Sequence, residues 1–168
     1  MVFAVGFAAV ALAVFNRSAS SQLWQNIEMV NEPHYKAAES TDMDVVSIEE
    51  FEQKTDIPVL PYMTLDGYSS YTCYVTDEMY EARLDYSREK NYVLILSPAE
   101  SVASSAIDTS KYTEVEGQKV SFAKDKKEGM LACLWSNEQG SYYLYGFAEE
   151  KEFMNFLTEI LTLQKDLK

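Results

Sequence analysis

The sequence predicts an α+β domain in which a mainly antiparallel sheet of about five or six strands carries a short N-terminal helix and a longer C-terminal helix packed on it. Three observations support this. Apolar and polar residues alternate with a period of two over much of residues 71–147, as in half-buried strands. The apolar residues after position 150 recur at helical spacing. The first fifteen residues form an uncharged apolar segment, which sets them apart from the acidic remainder.

The apolar segment at residues 1–16 indicates a membrane anchor or a secretion signal. The run MVFAVGFAAVALAVF has no charge and is closed by Asn16 and Arg17. A membrane-spanning helix takes about 20 apolar residues, whereas the apolar part of a secretion signal takes about 7–15. The run therefore fits a signal segment, although no basic residue precedes it. It also fits part of an anchor that begins upstream, and a buried helix of the domain is the third alternative.

Either of the first two alternatives places the body outside the cytoplasm, anchored through residues 1–16 or secreted. The chain has 27 acidic against 14 basic residues, a net charge of −13. Nucleic acid is excluded as a partner, because phosphate binding depends on clustered Lys and Arg. A cationic partner or simple solubility suits this charge. The hydrophobic content of 47% is ample for a packed core, and the length suits one domain.

Residues 17–46 are predicted to connect the apolar segment to a domain over residues 47–168. Within this connector, apolar residues at near-helical spacing predict a short helix around residues 20–31, which Pro33 would end. These apolar residues are Leu23, Trp24, Ile27 and Val30.

The domain is predicted to open with a helix over residues 48–54. Ser47 and Glu50 have the spacing of a capping box, in which a hydroxyl caps the helix three residues before a carboxylate. Ile48 and Phe51 should be its buried residues. Asp66 and Gly67 then mark a turn before the first strand of the sheet.

The next three strands are predicted from alternation and from apolar content. Residues 71–75 alternate, and residues 80–86 alternate so that Glu81, Arg83 and Asp85 lie on a solvent-facing side. Residues 92–96 are apolar at every position, which predicts a central strand ended by Pro98.

Two glycine-containing turns predict further hairpins before the last helix. Residues 113–115 and 120–122 flank Gly117, and residues 130–135 and 141–147 flank Gly140. Trp135 should be buried against the C-terminal helix, because it shares a strand face with other apolar residues. The apolar stripe of that helix consists of Phe153, Phe156, Leu157, Ile160 and Leu161.

Acidic residues are the only candidates for catalysis, and we predict that none is catalytic. The groups Asp77/Glu78, Glu81/Asp85 and Glu149/Glu150/Glu152 fall in turns, on a solvent-facing strand side or in a first helical turn, where acids are expected. His34 is the only histidine and has no nucleophile pattern beside it. No metal-ligand or cofactor motif is present, so no metal and no cofactor are predicted. The alternative is a secreted hydrolase that uses a carboxylate pair.

Two cysteines and two tyrosines are the remaining candidate functional residues. Cys73 and Cys133 form a disulfide if their strands are neighbours; otherwise they are buried free thiols. Tyr74 and Tyr143 are candidates for a face that binds a peptide or glycan, because tyrosine combines a large apolar area with a polar tip. Ordinary sheet packing is the alternative for both tyrosines.

The segment SIEEFEQKTDIPVLPYMTLDGY resembles the opening of a bacterial extracytoplasmic family known only as a domain of unknown function. The places that match are Ser47, Phe51, Ile57, Pro58, Pro61, Gly67 and Tyr68. Gly117, Trp135, Gly140 and the Tyr143-Leu144 pair resemble the family's closing part, and the resemblance covers roughly residues 47–163. One departure is that TLDG stands where a second proline-glycine turn is more usual.

Relatives in that family often follow a single membrane helix and are sometimes attached to an anti-sigma module. The resemblance therefore implies a membrane-tethered or exported domain of the cell envelope that senses a signal or binds a protein or peptide partner. It implies no known reaction.

Overall fold

A computed structural model of the protein describes residues 27–30, 44–75, 79–98 and 107–167. In this part of the chain, nine strands form one mainly antiparallel sheet, accompanied by two α-helices and a 3-10 helix. The α+β prediction is confirmed, including the C-terminal helix, but the predicted number of strands was too low. The apolar segment at residues 1–16 lies outside the described residues.

The elements have the following bounds. The strands are β1 (Glu28–Val30), β2 (Asp44–Val46), β3 (Tyr68–Val75), β4 (Tyr80–Ser87), β5 (Asn91–Ser97), β6 (Thr113–Val115), β7 (Gln118–Asp125), β8 (Leu131–Ser136) and β9 (Ser141–Gly146). The helices are α1 (Ile48–Thr55), the 3-10 helix (Leu60–Thr64) and α2 (Glu150–Asp166).

The strands follow the spatial order β1-β7-β8-β9-β5-β4-β3-β2. Strand β5 therefore lies in the interior between β4 and β9, which confirms its prediction as a central strand. The outer edge of β7 is shared by two short strands, since β6 pairs with residues 118–120 and β1 with residues 123–125. The β1–β7 pair is parallel, whereas the other pairs are antiparallel.

Strands β1 and β2 correct the prediction for the connector. Residues 28–30 form a strand, so the helix predicted around residues 20–31 is wrong there, and residues 20–26 lie outside the described residues. Residues 44–46 pair with β3 and also belong to the sheet. Each of these strands has three residues, too few for an alternating pattern. Their strand conformation comes from pairing with a distant edge rather than from local preference.

Helix α1 begins as its capping residues predict. The Oγ of Ser47 accepts the N–H of Glu50 at 3.1 Å, and Ile48 and Phe51 are buried. The helix ends at Asp56, which adopts a left-handed conformation with φ of 57°. The carboxylate of Glu52 then accepts the N–H of Val59 at 2.6 Å. This bond fixes the apolar-proline stretch that leads into the 3-10 helix.

Both α-helices pack on the same side of the sheet, which we call the first face. All five residues of the predicted stripe of α2 are buried there, together with inward side chains of α1 and the 3-10 helix. The opposite side, the second face, carries a separate buried cluster that is extended by Tyr145. Its members are Val93, Ile95, Ile107, Ala123, Ala132, Leu134 and Tyr143. The central strands are therefore buried on both faces.

A buried hydrogen-bond network ties α2 to the first face. The indole N–H of Trp135 donates to Oε1 of Gln164 at 3.0 Å, and Nε2 of Gln164 donates to the hydroxyl of Tyr62 at 3.0 Å. The hydroxyl of Tyr86 donates to the Tyr62 carbonyl at 2.9 Å. Trp135 is 2% exposed and stacks on Tyr142, with ring centroids 5.4 Å apart. Its predicted burial against the last helix is confirmed.

Two tight turns explain two of the predicted hairpins. Glu116 and Gly117 have φ values of 52° and 80°, which is the conformation of a type I′ hairpin turn. Gly140 is required for a different reason, because a Cβ there would lie 2.6 Å from the carbonyl oxygen of Ser97.

Replacing Trp135 by Ala is expected to lower the free energy of unfolding by about 3–5 kcal/mol, the range for deletion of a large buried aromatic side chain. The loss combines a cavity, a lost ring stack and a Gln164 Oε1 left without its donor. The change should be measured by urea denaturation of the full chain. Phe147→Ala, at a half-exposed aromatic residue, is the control and should cost less than about 1 kcal/mol. A similarly small loss for Trp135→Ala would contradict the packing.

Candidate functional site

The second face carries a buried carboxyl group at its β3–β4 end. Glu81 of β4 lies directly opposite Tyr74 of β3 in the antiparallel ladder. Glu81 is 0% exposed, and its Oε2 accepts a hydrogen bond from the Tyr74 hydroxyl. Its other oxygen, Oε1, is buried and has no hydrogen-bond partner among the described residues. The sequence predicted a solvent-facing Glu81, and that prediction is wrong.

Burial raises the pKa of the Glu81 carboxyl from its usual value near 4.5 to about 8. The cause is loss of hydration, since a charged carboxylate is far costlier to bury than a neutral acid. Glu81 is therefore protonated in the folded protein at neutral pH. Burial also raises the pKa of the Tyr74 hydroxyl, so this group stays neutral as well.

Arg83 and Asp85 continue the same strand side but form a pair of their own. Nε and Nη2 of Arg83 both donate to Oδ1 of Asp85, at 3.1 and 2.9 Å. The hydroxyl of Ser70 donates to the other Asp85 oxygen at 3.1 Å. Both charged side chains are partly exposed, so the sequence placed them correctly. The hydrogen bonds of the Arg83 guanidinium thus go to Asp85, and among the described residues Glu81 has Tyr74 as its side-chain partner.

Tyr74 and Tyr143 do not form the accessible binding face for which they were candidates. Tyr74 is 9% exposed and Tyr143 is 1% exposed. Tyr143 packs against Tyr145, with ring centroids 5.6 Å apart, inside the second-face cluster. The expectation failed because this side of the sheet is buried, so the alternative of sheet packing describes both residues.

Cys73 and Cys133 are free and buried. Cys73 lies on β3 and Cys133 on β8, and β4, β5 and β9 stand between them in the sheet. Four interstrand steps correspond to about 19 Å, whereas a disulfide requires Cα atoms within about 7 Å. The disulfide alternative is therefore wrong for this fold. Burial raises the pKa of the Cys73 thiol to about 11, which makes it a poor nucleophile.

A polar surface depression of about 320 Å³ lies beside α2, next to the β4–β5 turn. The Arg88 guanidinium lines this depression. It donates to Oε2 of Glu159 at 2.9 Å and lies 4.7 Å from the centre of the Phe156 ring. The other lining residues are Asp66, Glu89, Tyr92, Glu152 and Asn155. Because Arg88 is already paired and four carboxylates surround it, an anionic ligand is disfavoured here.

The remaining acidic candidates do not converge on a site. Glu150 pairs with Lys124 at 3.3 Å across the start of α2, while Glu152 lines the depression. Asp77, Glu78 and His34 lie outside the described residues. Among the residues that the structure describes, no group of three or more His, Cys, Asp or Glu could hold a metal ion. No helix of this part is both long and apolar enough to cross a membrane.

Comparison with protein-family models, curated proteins and solved structures finds no match for this chain. The resemblance to an extracytoplasmic family stays a prediction, and the site rests on its own geometry.

Glu81 is the residue that sequence reasoning missed. Its strand alternates regularly, so Glu81 shares a side with the partly exposed Arg83 and Asp85. The alternation of apolar and polar residues does not show that this side of β4 is buried at the Glu81 end. The register opposite Tyr74 was the missing information, and it depends on the fold rather than on the strand itself.

Replacing Glu81 by Gln is expected to change how the free energy of unfolding depends on pH. The folded state holds a proton on Glu81 up to pH about 8, whereas the unfolded chain releases it near 4.5. The stability that this proton contributes is fully present below the lower value and is lost as the pH rises toward the upper one. The wild type should therefore lose up to about 1.4 kcal/mol per pH unit in that window relative to Glu81→Gln.

The measurement is urea denaturation of both proteins across that pH window. Glu89→Gln, in the exposed β4–β5 turn, is the matched control and should follow the wild type. Parallel curves for the wild type and Glu81→Gln would show that Glu81 has an ordinary pKa.

Proposed function

We propose that this chain is a membrane-tethered or exported domain of the bacterial cell envelope that senses a signal or binds a partner and does not catalyse a reaction. The apolar segment at residues 1–16, the acidic body and the family resemblance support the location. The observation that carries the sensing role is the sealed Glu81–Tyr74 pair on the second face.

A fully buried carboxyl group suits sensing better than catalysis. Glu81 has no accessible surface in the described structure, so a substrate cannot reach it without a change in the fold. Its charge state, however, is coupled to the stability of the strands that bury it. A domain outside the cytoplasm meets the pH and ions of the surroundings directly. Such a group converts that environment into a conformational preference.

A protein or peptide with a basic surface is the partner that suits this acidic chain best. The net charge of −13 disfavours nucleic acid and anionic lipid. The arginine of the surface depression is held by Glu159 and leaves no free cation there. A basic partner would gain long-range attraction from the whole acidic domain.

The alternative, a hydrolase with a carboxylate pair, has less geometric support. Glu81 and Asp85 lie four residues apart on one strand, which corresponds to about 13 Å. Retaining and inverting glycosidases need their carboxyl groups about 5–10 Å apart. In addition, Asp85 is occupied by Arg83, and Glu81 is inaccessible.

If the body lies outside the cytoplasm, protease added to intact, wall-stripped cells should degrade residues 20–168 while a cytoplasmic marker protein survives. The readout is an immunoblot against the body, with detergent-lysed cells as the control for protease sensitivity. Full protection of the body in intact cells, together with cleavage after lysis, would contradict an extracytoplasmic domain.

If the role is non-catalytic, the purified full chain should show no turnover that depends on its acidic residues. The measurement is a broad hydrolase screen. Wild type, Glu81→Gln and Asp85→Asn should give the same background, as should the exposed control Glu89→Gln. Turnover that is lost in Glu81→Gln or Asp85→Asn but retained in Glu89→Gln would favour the hydrolase.

A further inference from the structure

We infer that Glu81 and Tyr74 form a proton-dependent latch that holds the edge of the sheet at β2 and the end of β3, and that this edge is released when Glu81 ionises. The inference deepens the proposed function, on which its biological use rests, by naming the stimulus and the element that responds. It depends on the pairing of β2, β3 and β4 and on the hydrogen bonding of the Glu81 carboxyl group.

The first step is that Glu81 has too few hydrogen-bond donors to stabilise a negative charge. A buried carboxylate is stable when two or three donors reach it, and a buried charge without them is costly. Glu81 receives one donor, the Tyr74 hydroxyl, and its Oε1 has none among the described residues. The neutral acid is tolerated in this position, whereas the carboxylate is not.

The second step is that no cation in the described part of the neighbouring strands donates a hydrogen bond to Glu81. Tyr74 of β3 faces Glu81, and Val45 of β2 lies opposite Tyr74. On β4 itself the next charged groups are Arg83 and Asp85, which bind each other.

The described residues of β5 and β9 on this side of the sheet are neutral. On β5, Ile95 and Val93 lie opposite Arg83 and Asp85. The tyrosines Tyr143 and Tyr145 of β9 lie beside them, and burial raises the pKa of each hydroxyl, so both stay neutral. Asp44 on β2 is exposed and lies opposite Val75, on the other side of the sheet from Glu81. The raised pKa of Glu81 agrees with this environment.

The third step is the position of the latch in the sheet. Strand β2 is the last in the strand order and pairs with β3 at residues 73–75. On its other side, this same part of β3 pairs with residues 80–82 of β4, which include Glu81. The carboxyl group therefore sits in the pairing that carries the outermost strand. Within the described residues, the opposite end of β3 pairs only with β4.

Ionisation of Glu81 then favours an open edge. The proton passes to hydroxide or a buffer base, and the carboxylate gains hydration only if the Tyr74–Glu81 pairing separates. Separation frees backbone N–H and C=O groups of residues 73–75, a strand edge to which an extended peptide can add. Proton loss would in this way create a binding-competent edge.

The test is hydrogen–deuterium exchange of the full chain in mild detergent, corrected for intrinsic exchange, from about pH 6 to about pH 9.5, a range that brackets the pKa of Glu81. Peptides covering residues 44–46 and 73–75 should lose protection by up to about tenfold per pH unit as the pH rises toward about 8, because opening releases one proton while the closed form is protonated. Above that value the loss should level off, since both forms are then ionised. Peptides from β8 and β9 should keep their protection. Glu81→Gln should hold the edge closed at high pH, and Glu89→Gln should behave as the wild type.

Edge protection that is independent of pH in the wild type would overturn the latch, as would an equal loss in Glu81→Gln. If Glu81→Gln does not fold, a carboxyl-carbon NMR titration of the wild type decides instead. A midpoint near the ordinary value of 4.5 overturns the proposal, and one near 8 that coincides with shifts of Tyr74 supports it. These measurements use no cells and no partner, so their outcome is separate from that of the localisation and turnover tests.

Discussion

Burial of the central strands on both faces is the constraint on which the rest of this domain depends. Helices α1 and α2 cover the first face, and a second apolar cluster lies on the other. Polar groups on either side must then find partners inside the protein. On the first face Trp135, Gln164 and Tyr62 satisfy one another. On the second face Glu81 is only half satisfied, and its burial raises the pKa of its carboxyl group to a value near neutrality.

Features encoded by neighbouring residues could be predicted from the sequence, and features that depend on strand order could not. The Ser47 cap, the Gly117 turn and the α2 stripe are local signals, and the structure contains all three. Strands β1 and β2 have three residues each and exist through pairing with residues far along the chain.

The errors at the candidate site have the same origin. The separation of Cys73 from Cys133 follows from the positions of their strands in the sheet. The burial of Tyr74, Glu81 and Tyr143 depends on what covers the second face. Alternation along a single strand carries neither kind of information, because it distinguishes the two sides of a strand without saying whether both are buried.

In the proposed function, an acidic envelope domain attracts basic partners, and the edge strand held by the neutral Glu81 carboxyl group is the place where pH regulates their access. The claim that decides this account is that Glu81 is neutral in the folded protein at neutral pH. Isotope-edited infrared spectroscopy of wild type against Glu81→Gln observes that proton directly. The account predicts a protonated-carboxyl band at about pH 7 that is absent from the variant and is lost as the pH passes about 8. A carboxylate band alone at about pH 7 would contradict it.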